Sequence, residues 1–520
     1  MGGTSLGIRC GTPPVAEWTA VKIKSCLPLI ALGALSFAGH ARAETTAQTE
    51  SAPPPGAADT AAQIEALRAQ LEILQTQLKA LSAKVGKVEP SWKAAPSWAG
   101  NGGWSFKPKG VLQFDAGYVS LPRKIAGLVP VSGTSAGSGV NTGNLGWNTR
   151  ARRLIVGVEG SMPAGFAYKF ELEMSQGGVN YEDMIISYQR AGSPWSITLG
   201  HQYPLSSLEL MSSNRFTSFI ERSGAVDAFA YGRRVGATLA YVDPASIWGL
   251  AAGIYSEDVA NSNVARTGWQ ASLRGYASPK FGEIQTHVGF QYQHRVSPTD
   301  AQNIRYRQRP YSQVSNERFI DTGALAASGD DIVGGELALI YGPIHFASEY
   351  QHVWVRSLGS NHAFGINNAP GTTNFLVGDP HFRTGYVELG YFLTGETRGY
   401  KSGRWDRTKV LRPITEGGLG AFQINGRFDA TDLNDTVGGP GLVLAGNDIS
   451  YVNGGASKAY EASLIWLPID YVKFMLQYAH IDISGGPSAR AFSRFATQLP
   501  AGYGHGYGVD SLALRTQLDF

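Results

Sequence analysis

From Trp104 to the last residue, apolar and polar positions alternate with a period of two. Tyr168, Phe170, Leu172 and Met174 alternate with Lys169, Glu171 and Glu173, while Ile284, Thr286, Val288, Phe290 and Tyr292 alternate with Gln285, His287, Gly289, Gln291 and Gln293. Phe422, Ile424 and Phe428 oppose Gln423, Asn425, Arg427 and Asp429. This is the period of a β-strand with two unlike faces. The final segment repeats it, with Leu512, Leu514, Leu518 and Phe520 on one side and Arg515, Gln517 and Asp519 on the other. Such a strand needs core or lipid on its first side and water on its second, and a chain that stops there leaves no room for a covering domain.

Two all-β architectures share that pattern. In a soluble sandwich the apolar faces meet each other; in a pore barrel they face lipid and the polar faces line water. Charged groups and amides recur on the minority face of many segments without long helices to cover a sheet, which favours the barrel. Tyr188, Trp195, Tyr241, Trp269, Tyr341, Tyr391, Trp466 and Tyr478 would suit interfacial girdles. Dividing residues 104–520 by about 26 residues per strand and connection predicts about sixteen strands. The fold class is therefore all-β, a transmembrane antiparallel β-barrel. Gly/Ser/Asn/Pro-rich connections at roughly 121–147, 204–232, 296–331, 357–384, 398–418, 431–458 and 484–508 read as extracellular or inward-folded loops. Tyr341-Gly342-Pro343 and Leu467-Pro468-Ile469-Asp470 read as short turns, so that long and short connections alternate.

Before Trp104 the period changes. Ile64, Leu67, Leu71, Leu74, Leu78, Leu81, Val85 and Val88 step by threes and fours, which puts each on the a or d seam of a heptad helix. The seam predicts an α-helical coiled coil over 63–90 that assembles the chain into an oligomer; the alternative is a helix folded on its own barrel. Residues 44–62, with Pro53-Pro54-Pro55, read as a flexible linker, and 91–103 as a second one.

Composition sharpens the picture. Charged residues are 16%, against about 25% in ordinary soluble domains, and Gly, Tyr, Phe and Trp are abundant. Mean hydropathy is −0.13, and no window approaches the ~20 apolar residues of a spanning helix. Lys22 and Lys24, the apolar stretch 27–38 and Ala41-Arg42-Ala43 form a secretory signal peptide over 1–43, cleaved after Ala43. Residues 1–20 are neither basic nor apolar, so translation is expected to start at Val21. Both cysteines, Cys10 and Cys26, precede the cleavage site, so the exported chain has no thiol chemistry. Bases and acids in it balance, which argues for neither nucleic acid nor an anionic ligand.

Four stretches resemble one family. They are Phe106 to Tyr118 (FKPKGVLQFDAGY), Arg152 to Gly160 (RRLIVGVEG), Gly200 to Glu209 (GHQYPLSSLE) followed by Ser218 to Ser223 (SFIERS), and Tyr391 to Glu396 (YFLTGE). In sequence and order they are similar to the phosphate-selective porin O and P family, and the likeness extends over about 104–520. The resemblance implies a homotrimer of sixteen-stranded barrels in the outer membrane of a Gram-negative bacterium, each pore narrowed by inward-folded loops and lined by arginines that pass anions, phosphate among them. It also implies outer-membrane lipid and lipopolysaccharide as surroundings, a periplasmic coiled coil, and barrel-assembly machinery that recognises a closing strand by its terminal aromatic, here Phe520.

Arginine suits that role, because it stays charged and its planar fork matches phosphate oxygens. The chain has 29 Arg against 15 Lys. Arg152 and Arg153 sit at a strand start; Arg215, Arg222, Arg233 and Arg234 fall in and just after the loop that the family folds inward; Arg305, Arg307 and Arg309 alternate along one segment and should point the same way. These nine are the expected constriction residues. Against them stand Glu182, Asp183, Glu209, Glu221 and Asp227, and Arg234 could brace the wall against Glu159 or Glu171. With 35 bases and 34 acids from residue 104 onward, a moderate anion preference is expected rather than strict phosphate selectivity.

An enzyme is not expected. The ten histidines, among them His201, His287, His294, His345 and His352, form no H-E-x-x-H pair, and there is no G-x-S-x-G elbow. Glu182-Asp183 and Glu257-Asp258 are sequence neighbours, which a regular strand sends to opposite faces. Gly417-Gly418-Leu419-Gly420 precedes a strand and lacks the P-loop lysine. No cofactor and no metal site are expected. The alternative functions are a general, weakly selective porin, a barrel that tethers the cell wall through its coiled coil, and a lipid hydrolase.

Overall fold

The computed structural model describes residues 65–77, 79, 97–121, 145–175, 177–256, 268–299, 302–358, 373–376, 378–436, 448–449, 451–486 and 506–520. The chain divides into two units, 1–79 and 80–520. In the first, helix α1 spans 65–77, and its Leu67, Leu71 and Leu74 are exposed. The other expected seam residues, Ile64, Leu78, Leu81, Val85 and Val88, lie outside the described residues, as do the signal peptide and the 44–62 linker. The pairing of helices into a coiled coil is not shown.

The second unit is a closed barrel of sixteen strands. They are β1 (Ser105–Val119), β2 (Gly146–Ser161), β3 (Phe166–Glu173), β4 (Asn180–Tyr188), β5 (Trp195–Gln202), β6 (Arg234–Val242), β7 (Trp248–Ser256) and β8 (Trp269–Ala277). The remainder are β9 (Ile284–Val296), β10 (Ala324–Tyr341), β11 (Ile344–Ser357), β12 (His381–Phe392), β13 (Ala421–Thr436), β14 (Tyr451–Ile469), β15 (Val472–Ser484) and β16 (Gly506–Asp519). Each pairs antiparallel with its neighbours, and β16 closes on β1 from Val111↔Asp519 to Val119↔Ser511. Closure leaves no unpaired edge, the condition for a sheet to cross hydrocarbon.

The alternation sorts the two faces as the sequence predicts. Ile186, Leu199, Ile254, Val288, Leu337, Leu389, Leu464 and Leu514 are exposed on the outer wall, whereas Gln291, Glu349, Arg427, Gln477, Arg515 and Gln517 are buried inside. Among the described residues no helix is long and apolar enough to cross a membrane. Trp195, Tyr241 and Trp248 pack ring on ring at the ends of three adjacent strands.

Two irregularities depart from the period of two. The β1–β2 register shifts between Gln113↔Arg153 and Phe114↔Ala151, so Arg152 is an extra residue. The β3–β4 register shifts between Phe170↔Met184 and Leu172↔Tyr181, which sets Glu182 and Asp183 against Glu171. A β-bulge of this kind re-aims side chains. Glu182 and Asp183, expected on opposite faces, both reach the lumenal Arg233.

Among the described residues, three connections fill the lumen. The 203–233 loop leaves β5, carries helices α2 (Leu208–Met211) and α3 (Gly224–Phe229), and returns at β6. Its backbone is held by the opposite wall: Ile220 donates to Gln477 at 2.6 Å, Gly224 to Asp429 at 2.8 Å, and the Lys473 ammonium donates to the carbonyls of Arg215 and Thr217 at 2.8 and 3.1 Å. A buried strap of this kind needs such partners, since each unmatched backbone group costs about 1–3 kcal/mol. From the same end, Ile304, Tyr306, Tyr311, Val314, Phe319 and Ile320 of the 297–323 loop pack onto the inward-facing Ile332, Val353, Val355, Ile481 and Val509.

The third connection, 393–420, joins β12 to β13 at the end that carries the short turns. The expected alternation of long and short connections therefore breaks here. Trp405 of this segment is buried against Leu208, Ala338, Ala347 and Tyr386 inside the barrel.

Candidate functional site: the lumenal neck

The crossing loop leaves two cavities beside the β1–β8 wall. One, of about 240 Å³, lies toward the long loops and is lined by Arg152, Glu221, Arg309 and Arg515 among others. The other, of about 750 Å³, lies toward the short turns. Arg153, Tyr203, Leu210, Asn214 and Arg222 line both, so these five residues form the neck between them.

The wall side of the neck is a row of ion pairs. Arg152 binds Glu221 through two hydrogen bonds of 2.7 and 3.1 Å, and Arg515 reaches the same carboxylate at 2.9 Å. Arg153 lies 3.4 Å from Glu182 and 3.8 Å from Glu173. Arg233 pairs with Glu182 and Asp183, and Lys169 with Asp183 at 2.5 Å and Glu171 at 2.9 Å. Burial alone would raise the Glu221 carboxyl, but Arg152 and Arg515 outweigh it and hold that group far below the ordinary carboxylate range.

The loop side differs. Arg222 donates to the Ser212 carbonyl at 2.8 Å, and its buried Nε has no hydrogen-bond partner among the described residues. Neither Arg222 nor Arg215 forms an ion pair among them; Arg215 donates to Ser213 Oγ at 3.0 Å. Tyr203 lies beneath Arg233, whose guanidinium stands 4.1 Å from the ring centre, and 5.9 Å from that of Arg222. Burial pushes the Tyr203 phenol up, but Arg233, Arg222 and Arg153 together lower it below its ordinary value.

The nine arginines singled out by sequence thus occupy different places. Arg152, Arg153, Arg222 and Arg309 line the smaller cavity; Arg153, Arg215, Arg222 and Arg233 line the larger. Arg305 and Arg307 line neither, although the trio does share one side, with Tyr306 and Gln308 buried between. Arg305 binds Asp321 at 2.8 Å, and Arg309 lies 3.8 Å from Asp227. Arg234 does not brace Glu159 or Glu171, because Lys109 takes the first at 2.7 Å and Lys169 the second. It lies 4.2 Å from the Tyr231 ring and donates to the Ser256 carbonyl at 3.2 Å.

Sequence reasoning missed Lys401 and Arg404, which also line the larger cavity, and Arg398, which holds the crossing loop through the Phe216 carbonyl at 3.0 Å. A density of bases in 393–420 was the available signal. Among the described residues no cluster of His, Cys, Asp and Glu fits a metal ion.

A closed barrel with an apolar outer wall, a charged lumen and cavities meeting at a neck is the architecture of an outer-membrane channel. The model of the phosphate-selective porin O and P family matches residues 136–499, and the chain belongs to that family. An uncharacterized protein of Caulobacter vibrioides is 34% identical over 444 residues, covering 83% of this chain and 77% of its own. Among solved structures, the outer membrane channel DcaP of Acinetobacter baumannii has 12% identity and a TM-score of 0.44, covering 81% of this chain and 99% of that one. The anion-selective porin from Comamonas acidovorans has 11% identity and a TM-score of 0.41, covering 80% and 100%.

Proposed function

We propose that this porin is a passive, water-filled channel with a moderate preference for anions such as phosphate, set at the neck by Arg222. The observation that carries this reading is a charge asymmetry. Eight cations line the larger cavity, and of the four paired with carboxylates, Arg153, Lys169 and Arg274 come from the barrel wall and Arg233 from the last position of the crossing loop, directly before β6. Arg215, Arg222, Lys401 and Arg404 come from the inward connections and form no ion pair among the described residues. A paired wall contributes little net field, whereas unpaired guanidiniums in a narrow passage raise the local anion concentration.

Reversal potentials across planar bilayers in a salt gradient test it. Anion-directed potentials are expected, reduced by Arg222→Gln. A cation-directed potential in the unmodified channel overturns the anion preference.

The heptad seam of 63–90 supports a homotrimer with its coiled coil in the periplasm and its outer wall against lipid and lipopolysaccharide. The terminal Phe520 supports delivery by barrel-assembly machinery. Deleting residues 63–90 should lower the oligomer mass measured in detergent by light scattering; an unchanged trimer refers assembly to the barrel alone.

A further inference from the structure

We propose that the hairpin Tyr400–Trp405 carries a second anion station, on the short-turn side of the neck, with Lys401 and Arg404 as its ligands. This inference rests on the anion-preference reading above and adds to it a site outside the nine arginines singled out by sequence.

The hairpin is built to hold its tip still. Tyr400 pairs with Trp405 and Lys401 with Arg404, and the turn between them uses positive φ at Ser402 (46°) and Gly403 (74°), the requirement of a tight two-residue turn. Gly403 lies against the Tyr276 ring, where a Cβ would come within 2.7 Å. Arg274, itself fixed by two bonds to Glu336 of 2.8 and 2.7 Å, donates to the Gly403 carbonyl at 2.9 Å. The Tyr400 hydroxyl meets His287 Nδ1 at 2.7 Å, and the Trp405 amide donates to Ser212 Oγ at 2.9 Å, which ties the hairpin to the crossing loop.

Alternation then fixes what faces the water. Tyr400 and Trp405 turn inward to the packed side, and Lys401 and Arg404 face the larger cavity, both exposed. Two cations directly opposite each other on a hairpin repel and cost stability. Arg274, at hydrogen-bond distance of the Gly403 carbonyl, adds a third positive charge beside this pair. Neither Lys401 nor Arg404 forms an ion pair among the described residues, and the charge of Asp183 across the cavity offsets the repulsion at Arg404 only in part. An anion bridging the ammonium and the guanidinium relieves it, and an oxyanion with several oxygens, such as inorganic phosphate, can accept from both groups at once. With the neck on one side and the hairpin on the other, an anion leaving Arg222 meets a second station before the exit, so that occupancy of one assists release from the other.

The test is phosphate inhibition of chloride current in planar bilayers, with inorganic phosphate on both sides, comparing the unmodified channel, R222Q, the double variant K401Q/R404Q and the conservative R404K. The double variant should weaken apparent phosphate affinity about tenfold, the scale of one lost charge-assisted contact, while R404K retains most of it. All variants must show the heat-modifiable folded band, so that lost current is not lost fold. Unmodified phosphate inhibition in K401Q/R404Q, with reduced anion preference in R222Q, overturns the second station and leaves the neck standing. Unmodified reversal potentials in both variants overturn the neck and the station together.

Discussion

Arg427 on β13 holds Glu209 of the crossing loop at 3.2 Å while its other nitrogens bind Glu461 of β14 at 2.7 and 3.0 Å. One guanidinium thus clamps the loop to the wall opposite its point of departure, and Glu209 passes the restraint on by accepting from the Ser223 amide at 2.9 Å and the Ser223 hydroxyl at 2.6 Å. Removing one partner of a buried ion pair strands the others, at a cost of about 3–5 kcal/mol. R427Q should therefore release the loop before it unfolds the barrel, whose hydrogen-bonded wall is untouched. Single-channel recording should show larger, noisier conductance and weaker selectivity.

Glu221 restrains the neck by neutralisation instead. It absorbs Arg152 and shares Arg515 with Asp115, so Glu221→Gln should free the Arg152 guanidinium, leave Arg515 on Asp115, and increase anion preference, measured as a more anion-directed reversal potential. Since the arginines hold the Glu221 carboxyl far below the ordinary range, its charge survives mild acidification. The neutralising effect is present above the unfolded carboxyl value of about 4.3 and is lost only when pH falls to the much lower folded value. Between about pH 7 and pH 5 the selectivity of the unmodified channel should hold steady.

The barrel was legible in the sequence because its physics is local: each strand carries its own two-faced pattern, and the strand number follows from chain length. The neck was legible only as a set of residue types. A period of two cannot announce a bulge, so the inward turning of both Glu182 and Asp183, and the extra residue Arg152, emerge only when neighbouring strands are paired. Whether an arginine is neutralised depends on partners far along the chain, as with Arg152 and Glu221, 69 residues apart. The inward course of 393–420 was hidden for another reason, since a long connection reads alike at either end of a barrel.

Gly110 and Phe520 join the first strand to the last. Their backbones exchange hydrogen bonds of 3.2 and 3.1 Å, and the terminal phenyl ring occupies the space where a Gly110 Cβ would lie, 2.5 Å from two of its carbons. Gly110→Val should displace the ring from the closing seam. The fraction of heat-resistant folded barrel recovered from membranes should fall, and combining the change with Phe520→Ala should restore part of it by removing the clash.

Tyr203 gives the neck a dependence on alkaline pH. Its phenol is buried, which disfavours the anion, yet Arg233, Arg222 and Arg153 surround it and carry its ionisation below the ordinary value of about 10. Ionisation places a negative charge among the same guanidiniums that attract anions, so their net field weakens as pH rises through the lowered value. The stabilising pairing of tyrosinate with arginine is present above the unfolded value and is lost as pH falls through the folded one; selectivity changes in the opposite sense. Anion preference should decline as pH rises toward the ordinary phenol value of about 10, before free arginine or an ordinary tyrosine would titrate. Tyr203→Phe should abolish that decline while leaving the reversal potential at neutral pH unaltered. A decline that persists in the phenylalanine variant assigns the titration to another group.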